Sequence, residues 1–261
     1  MNALIHLIQG FVALVMSVAI ASTAYADTAQ QIVAQTDRVR NPDQPFRMVM
    51  TLTEYLSGHE HNQDTLVVFA KTDPATRQYR NLVEYTEPAR DAGKRVLFGG
   101  GALWFYDPAS KQSVRISPQQ RLVGQAAIGD VLTVNLAVDY TATLVGEESI
   151  EDAGHQTRQC WHLDLKAAND QSTYGRIEYW VEKGSFYPIK GKLYSDSGRL
   201  LKVAYYRDFA DRLGAKRPTQ IVIIDAVDTS LATIVTLGDW QFHDVPDLWF
   251  QRDYLPRLDA K

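Results

Sequence analysis

Three residue types that act together in nucleophilic catalysis alternate along one stretch of the sequence. Cys160, His162 and Asp164 have the chemistry of a nucleophile, a general base and an orienting carboxylate. Residues 157–165 alternate polar and apolar side chains, which predicts a β-strand. Residues two apart on a strand lie about 7 Å from each other, too far for a hydrogen bond between a thiol and an imidazole. We therefore expect these side chains to form a solvated strand face rather than a catalytic triad.

A second candidate is a metal site at His59-Glu60-His61, which offers two imidazoles. Two ligands are too few for a structural zinc site, and no other Cys or His pair has the spacing to complete it, so we expect a solvated loop. The sequence also lacks a G-x-S-x-G elbow, an H-E-x-x-H motif and a dinucleotide-binding fingerprint. These patterns predict a protein that is not an enzyme and that has no metal or cofactor, with a hydrolase of envelope material as the weaker alternative.

Three consecutive glycines, Gly99 to Gly101, resemble a phosphate-binding loop. Such a loop needs a helix directly after the glycines, so that free backbone N–H groups point at the anion. Here the glycines are followed by the bulky residues 102–106, which predict a strand and make the glycines a hairpin turn. Trp104 and Tyr106 share one face of that strand, so this face must be covered or must line a cavity.

The composition restricts the compartment and the partners. The 261 residues carry a formal charge of −4 and contain no basic run, which argues against nucleic acid as a partner. Residues 1–26 contain no Asp, Glu, Lys or Arg and end in Ala24-Tyr25-Ala26, the small-x-small pattern of signal peptidase sites. We expect a cleaved export signal, with a retained membrane anchor as the alternative, followed by one domain over residues 27–261. Cys160 is the only cysteine, so no internal disulfide is possible.

The elements that must position these residues are mostly strands. A short helix is predicted after Asp27, with Ile32 and Val33 on its apolar face and its end at Asn41-Pro42. Alternation then predicts about a dozen strands separated by turn residues, which favours an antiparallel barrel or sandwich. The strand runs begin at residue 46 and continue over 65–70, 78–86, 94–98, 102–106, 113–116, 143–149, 157–165, 175–182, 187–194, 200–209, 219–226 and 233–238.

Residues 117–137 interrupt the strand pattern. Ser117 and Pro118 are typical of a helix start, and Asp130 is placed to cap a second short helix. The segment is more apolar than a helix on a solvated sheet requires. Two interpretations follow from this excess: a helix packed as fixed core at one end of the barrel, or a movable lid over an apolar cavity.

Residues 79–117 resemble the core signature of the outer-membrane lipoprotein-sorting protein family, the LolA-like superfamily. The matching features are Glu87-Pro88 at a strand end, Gly93 before a strand, the aromatic strand Trp104-Phe105-Tyr106 and the following Asp107-Pro108. Residues 244–255 also resemble the C-terminal segment of that family. Together these stretches extend over most of the chain after the predicted signal.

The resemblance implies a mainly β fold: a half-open antiparallel β-barrel of about eleven strands, with an N-terminal helix and an embedded helical lid after the sixth strand. It implies a periplasmic carrier that binds the acyl chains of lipids or lipoproteins and moves them towards the outer membrane, with an inner-membrane exporter as a further partner. The alternative is a sensor or interaction module of the same fold that recognises a protein partner of an envelope export system. The residues expected to line the ligand cavity are Met48, Met50, Leu52, Trp104, Tyr106, Leu122, Val131, Leu132, Leu136, Trp161, Ile177 and Tyr179.

Overall fold

The computed structural model describes residues 28–258, and one antiparallel sheet of thirteen strands dominates it. Residues 28–40 form helix α1. The strands of the sheet are β1 (Phe46–Leu56), β2 (His59–Thr72), β3 (Tyr79–Glu87), β4 (Arg95–Gly99), β5 (Ala102–Asp107), β6 (Gln112–Arg115), β9 (Tyr140–Glu151), β10 (Thr157–Ala167), β11 (Arg176–Glu182), β12 (Pro188–Tyr194), β13 (Leu200–Arg212), β14 (Ala215–Asp225) and β15 (Leu231–Phe242). A small separate hairpin contains β7 (Arg121–Val123) and β8 (Ala126–Ala127).

The sheet is open, because its two edge strands do not pair with each other. The strand order is β6-β5-β4-β3-β2-β1-β15-β14-β13-β12-β11-β10-β9, so neighbouring strands in the sheet are also consecutive along the chain, except for the pair β1 and β15. The edge strands are therefore β6 and β9. Along the chain, β9 is the next strand of the large sheet after β6, and a long connection joins the two. This arrangement confirms the half-open antiparallel barrel, with thirteen strands where about eleven were expected. Six strands precede the connection, as predicted.

Local alternation explains most of the strands. Along β1, Phe46, Met48, Met50 and Leu52 are buried, and the residues between the first three are half-buried. The predicted glycine turn is confirmed between β4 and β5, because Gly100 and Gly101 adopt φ of 60° and 70°. Positive φ at both central positions is the conformation that matches a two-residue turn to the twist of its strands.

Helix α1 ends at residue 40, in front of Asn41-Pro42, as predicted. Ile32 and Val33 are buried against the inner face of the sheet. At the end of the helix, the Arg217 guanidinium donates hydrogen bonds of 2.9 Å to the carbonyl oxygens of residues 38 and 39. These bonds satisfy helix carbonyls that have no partner within the helix.

The connection between the two sheet edges, residues 116–139, is not the pair of helices predicted from Ser117 and Asp130. Its first part is a hairpin of β7 and β8 that continues into a 3-10 turn, Ile128–Val131, and its only α-helical part is one turn, α2 (Leu136–Asp139). Ile128 N donates to the carbonyl of Gln120 at 2.9 Å, so the backbone pairs across the hairpin instead of along a helix. We call residues 117–131 the lid hairpin and residues 132–139 the strap.

The concave side of the sheet is filled by two groups of apolar side chains. The hairpin-side cluster joins the lid hairpin to β1–β5, β14 and β15, and the helix-side cluster joins α1 to β9–β13. On the convex side, an outer cluster joins residues 245–258 to β2–β5. Both faces of β2–β5 are therefore covered, and the lid hairpin and α1 share the interior.

No helix between residues 28 and 258 is long and apolar enough to cross a membrane. The predicted export signal, residues 1–26, lies outside the described residues.

Candidate functional site

A cavity of about 80 Å³ lies inside the half-barrel, where the hairpin-side and helix-side clusters meet. The strap forms one wall and strands β11–β14 form the other. Ligand pockets usually measure about 300–1,000 Å³, so this cavity is a small remainder of a space that the chain itself fills. The side chains around it include Arg40, Asp130, Leu132, Val134, Leu136, Tyr140, Tyr174, Ile177, Tyr179, Leu193, Tyr206, Ile221 and Ile223.

Four of the predicted cavity residues, Leu132, Leu136, Ile177 and Tyr179, lie in the cavity wall. A second group lies under or within the lid hairpin, in the hairpin-side cluster rather than at the cavity: Met48, Met50, Leu52, Leu122 and Val131. Trp161 packs at the margin of the helix-side cluster, where its ring stacks on Phe186 with centroids 5.3 Å apart. The predicted set is thus distributed over the whole interior.

Trp104 and Tyr106 were expected at the cavity, and the structure places them on the opposite face of the sheet. Tyr106 is buried in the outer cluster, and the Arg252 guanidinium lies 5.0 Å from the Trp104 ring centroid. The alternate residues Leu103 and Phe105 face the lid hairpin instead. The prediction that Trp104 and Tyr106 share one strand face is confirmed, but the prediction that this face points into the barrel is wrong. The C-terminal segment covers the outer face of β5 with apolar side chains, so both faces of the strand can be apolar.

Two side-chain amides hold the strap, and each bonds both the N–H and the carbonyl of one strap residue, as the backbone of a neighbouring β-strand would. Asn81 donates from Nδ2 to the Thr133 carbonyl at 2.9 Å and accepts from Thr133 N at 2.8 Å. Gln78 bonds the carbonyl and N–H of Asn135 in the same way, at 3.2 and 2.7 Å. Buried backbone groups need such partners, since leaving one without a hydrogen bond costs about 1–3 kcal/mol. These bonds fix residues 133–135 against β3.

The far end of the strap is fixed to helix α1. Gln30 donates from Nε2 to the carbonyls of Ala137 and Tyr140, at 2.7 and 3.0 Å. Asp37, which is 4% exposed, accepts a 2.8 Å hydrogen bond from Ala137 N through Oδ2. Burial raises the pKa of this carboxyl to about 6, although the neighbouring Arg40 acts in the opposite direction.

The lid hairpin has fewer polar attachments. Its 3-10 turn is held through Asp130, which accepts 2.6 Å from the Tyr174 hydroxyl and pairs with Lys202 Nζ at 2.9 Å. Burial, reinforced by the Asp130 charge, holds the pKa of Tyr174 well above its usual value, so this phenol stays protonated and can donate. At the tip, Gln125 N donates to Thr233 Oγ1 at 2.7 Å. Near its start, Gln119 Nε2 donates to the Ser172 carbonyl at 3.0 Å, and the remaining contacts of the hairpin with the barrel are largely apolar.

The candidate nucleophile is not on a solvated face, which corrects the sequence interpretation. Cys160 is fully buried with Trp180 and Ile189 on the convex side of β10. Burial, followed by the charge of Glu182, raises the pKa of its thiol to about 12. A thiol with this pKa is protonated at neutral pH and is a poor nucleophile.

The other members of the set have partners of their own. The His162 ring stacks on Trp180 with centroids 4.3 Å apart, and Nδ1 lies 3.1 Å from Glu148 Oε1. Asp164 pairs with Arg176 on the neighbouring strand. The three side chains therefore do not converge on one another as a nucleophile, base and orienter would.

His59 and His61 are exposed and begin β2 rather than lying in a loop. Among residues 28–258, no group of three or more His, Cys, Asp or Glu side chains is placed to hold a metal ion.

Comparison with known proteins places this fold in a family. A family described as uncharacterized proteins matches residues 77–257. A LolA superfamily protein from Nitrosomonas europaea is 33% identical over 87% of this chain and 98% of its own, with a TM-score of 0.77. This chain belongs to the LolA superfamily. A search of the curated proteins found no match.

Two more distant structures share the fold. An outer membrane lipoprotein-sorting protein domain from Vibrio parahaemolyticus has a TM-score of 0.73 at 17% identity and covers 89% of this chain and 100% of its own. A DUF1329 family protein from Desulfovibrio piger has a TM-score of 0.74 at 18% identity, covering 88% and 99%. These likenesses support the architecture of the single open sheet.

Proposed function

We propose that this protein is a non-enzymatic periplasmic carrier that shelters acyl chains of lipids or lipoproteins in its half-barrel and carries them towards the outer membrane. The observation that carries the proposal is the connection between the two sheet edges. It crosses the concave face and fills it with apolar side chains, and it leaves a cavity of about 80 Å³ where the two inner clusters meet. A segment that fills a binding face in the free protein can be exchanged for a ligand of the same chemistry.

The lid hairpin is the part that moves, and the strap is the fixed part. The strap has hydrogen bonds to Gln78, Asn81, Gln30 and Asp37, whereas the hairpin depends mainly on the Asp130 contacts and on apolar packing. Moving the hairpin away uncovers the inner faces of β1–β5. This motion is costly in water, because apolar surface becomes exposed.

An acyl chain offsets that cost by covering the same surface. Each buried methylene contributes about 0.8 kcal/mol, so a chain with about ten buried carbons contributes close to 8 kcal/mol before ordering costs are subtracted. The proposed ligand surface therefore includes Met48 and Met50, which the sequence predicted, together with Leu66, Val68 and Leu103, all buried in the hairpin-side cluster. Closure of the empty protein protects this surface from aggregation between cycles.

The experiment adds a methyl group at Gly129, where the lid hairpin lies against Thr173. A Cβ at Gly129 would lie 2.0 Å from Thr173 Oγ1 and 2.6 Å from Thr173 Cγ2, so either the hairpin or Thr173 must shift. Gly129→Ala should therefore displace the 3-10 turn and weaken the Asp130 contacts. We expect faster uptake and release of a fluorescent fatty acid by this variant, measured by stopped flow.

Two further variants complete that experiment. Gly146→Ala is the matched control, since a Cβ there has no heavy atom within 4 Å and the exchange rates should equal those of the wild type. The double variant Gly129→Ala with Thr173→Gly removes the clash and should restore slow exchange. Unchanged rates in Gly129→Ala would contradict a movable hairpin, and absence of fatty-acid binding by every variant would contradict the carrier.

A further inference from the structure

The cavity wall contains a cation with unused hydrogen-bond donors. Arg40 is the last residue of α1, and its side chain is 15% exposed. Within residues 28–258 its guanidinium makes one hydrogen bond, from Nη1 to Asp37 Oδ1 at 3.2 Å. A guanidinium carries five N–H donors in a fixed plane, so most of them have no acceptor in the protein. Among the neighbouring cavity residues, Leu132 and Leu136 offer no acceptor from their side chains, and the Asp130 carboxylate is already bound to Tyr174 and Lys202.

A buried hydroxyl in the same wall also lacks a hydrogen bond of normal geometry. Tyr179 is 1% exposed, and within residues 28–258 its hydroxyl interacts with the Tyr206 phenol without forming a bond of normal geometry. Arg40 and Tyr179 both lie in the wall of this cavity. A buried polar group that lacks a good hydrogen bond destabilises a protein, so this hydroxyl is available to donate to a ligand atom in the cavity.

The charges and donors around the cavity indicate which kind of ligand atom would bind there. Asp37 already provides a counter-charge for Arg40, so the ligand does not need to bring one. The remaining Arg40 donors and the Tyr179 hydroxyl can each donate, so the atom that suits both is an oxygen acceptor with lone pairs. The wall also contains polar side chains, among them Asp130, which is already bound to Tyr174 and Lys202, while Ile177, Leu193 and Ile223 make much of the strand side apolar. An oxygen acceptor attached to an apolar chain fits this combination.

We infer that this cavity is the head subsite of the acyl ligand, in which Arg40 and the Tyr179 hydroxyl donate to the acyl carbonyl oxygen of an ester or carboxylate. The inference rests on the proposed carrier function and adds the orientation of the ligand to it. The carbonyl end lies between the strap and β11, and the chain extends from there beneath the lid hairpin. Arg40 and Tyr179 act as recognition residues for the polar end of the chain.

The test measures competition with a bound fluorescent fatty acid. The competitors are a fatty-acid methyl ester and an alkyl methyl ether of equal chain length, which differ in the carbonyl oxygen. We expect the wild type to bind the ester about tenfold more tightly than the ether, as one added hydrogen bond predicts. Comparing the free fatty acid with the ester shows whether the subsite prefers a carboxylate or an ester carbonyl. Tighter binding of either compound than of the ether supports the subsite.

Tyr179→Phe is the decisive variant, because it removes a hydroxyl that makes no hydrogen bond of normal geometry in the described part of the protein. We expect its thermal stability to equal or exceed that of the wild type while its preference for ester over ether falls. Tyr79→Phe is the control: its hydroxyl donates to the Pro42 carbonyl at 2.6 Å, so stability should fall and the preference should remain. Arg40→Met should abolish the preference.

Equal displacement by ester and ether in the wild type would overturn the head subsite and leave the carrier function standing. A Tyr179→Phe variant that loses stability and keeps the preference would assign the hydroxyl a structural role and would also overturn the inference. No binding of the fluorescent fatty acid at all would reject the carrier function together with the subsite, so the two failures are distinguishable.

Discussion

The buried carboxyl of Asp37 should make the protein less stable at neutral pH than in mild acid. Burial raises its pKa from 3.8 to about 6, with Arg40 as the main opposing influence. A raised pKa means that the folded state binds the proton more tightly than the unfolded state does. The resulting stability is fully present below pH 3.8 and is lost as the pH rises through about 6. A difference of one in pKa corresponds to about 1.4 kcal/mol, so raising the pKa from 3.8 to about 6 lowers the free energy of unfolding at neutral pH by about 3 kcal/mol.

The assay is urea unfolding of the wild type and of Asp37→Asn at several pH values between about 4 and 7.5. Asparagine keeps an oxygen acceptor for Ala137 N and cannot titrate, so the variant should gain about 3 kcal/mol relative to the wild type across this range. Asp253→Asn, at a side chain that is 83% exposed, is the control for removing a charge. Parallel pH profiles for wild type and Asp37→Asn would refute the reasoning. A wild type that gains stability relative to the variant as pH rises would show that the Arg40 ion pair outweighs burial.

Three further predictions concern single substitutions in the convex-side cluster around Cys160, in the strap contact and in the contact with the C-terminal segment. Cys160→Ser should lower the free energy of unfolding by about 1–3 kcal/mol in urea titrations, since it buries a hydroxyl in an apolar cluster, and the native thiol should resist alkylation until the protein unfolds. Asn81→Ala should cost about 2–4 kcal/mol in the same assay, because both hydrogen bonds to Thr133 are lost. Arg95→Ala should release the C-terminal segment, whose carbonyls at Leu255 and Leu258 accept from Arg95, and trypsin should then cleave that segment faster.

The sequence predicted the strands and α1 well because their signals are local. Alternation along β1 identifies Met48 and Met50 as members of one buried face, and the glycines between β4 and β5 identify a turn. The resemblance in residues 79–117 supplied the order of the elements and the open barrel. These inferences require only neighbouring residues or a family pattern.

The errors arose where the outcome depended on distant parts of the chain. Alternation shows which residues share a strand face but not which face is inside, so Trp104 and Tyr106 were assigned to the cavity although residues 245–258 cover them. Cys160 was assigned to solvent for the same reason. The lid segment folds as a hairpin because its backbone pairs within itself and its continuation pairs with Asn81, about fifty residues earlier.

The cavity cation had no recognisable signal in the sequence. Arg40 is an ordinary basic residue in the last turn of a helix, where cations are common. Only the packing of α1 inside the sheet turns its side chain into part of the cavity wall beside Tyr179. A sequence pattern describes the helix, whereas the site depends on where the helix lies.

The most direct measurement of the central claim is native mass spectrometry of the protein purified from the periplasm of a host that exports it, followed by analysis of its organic extract. The account predicts a folded protein that carries one lipid-sized adduct with an acyl chain, which unfolding releases and which added lipid restores to the stripped protein. A protein that shows its own mass alone, and that takes up no fatty acid, ester or phospholipid when these are added, would contradict the carrier function.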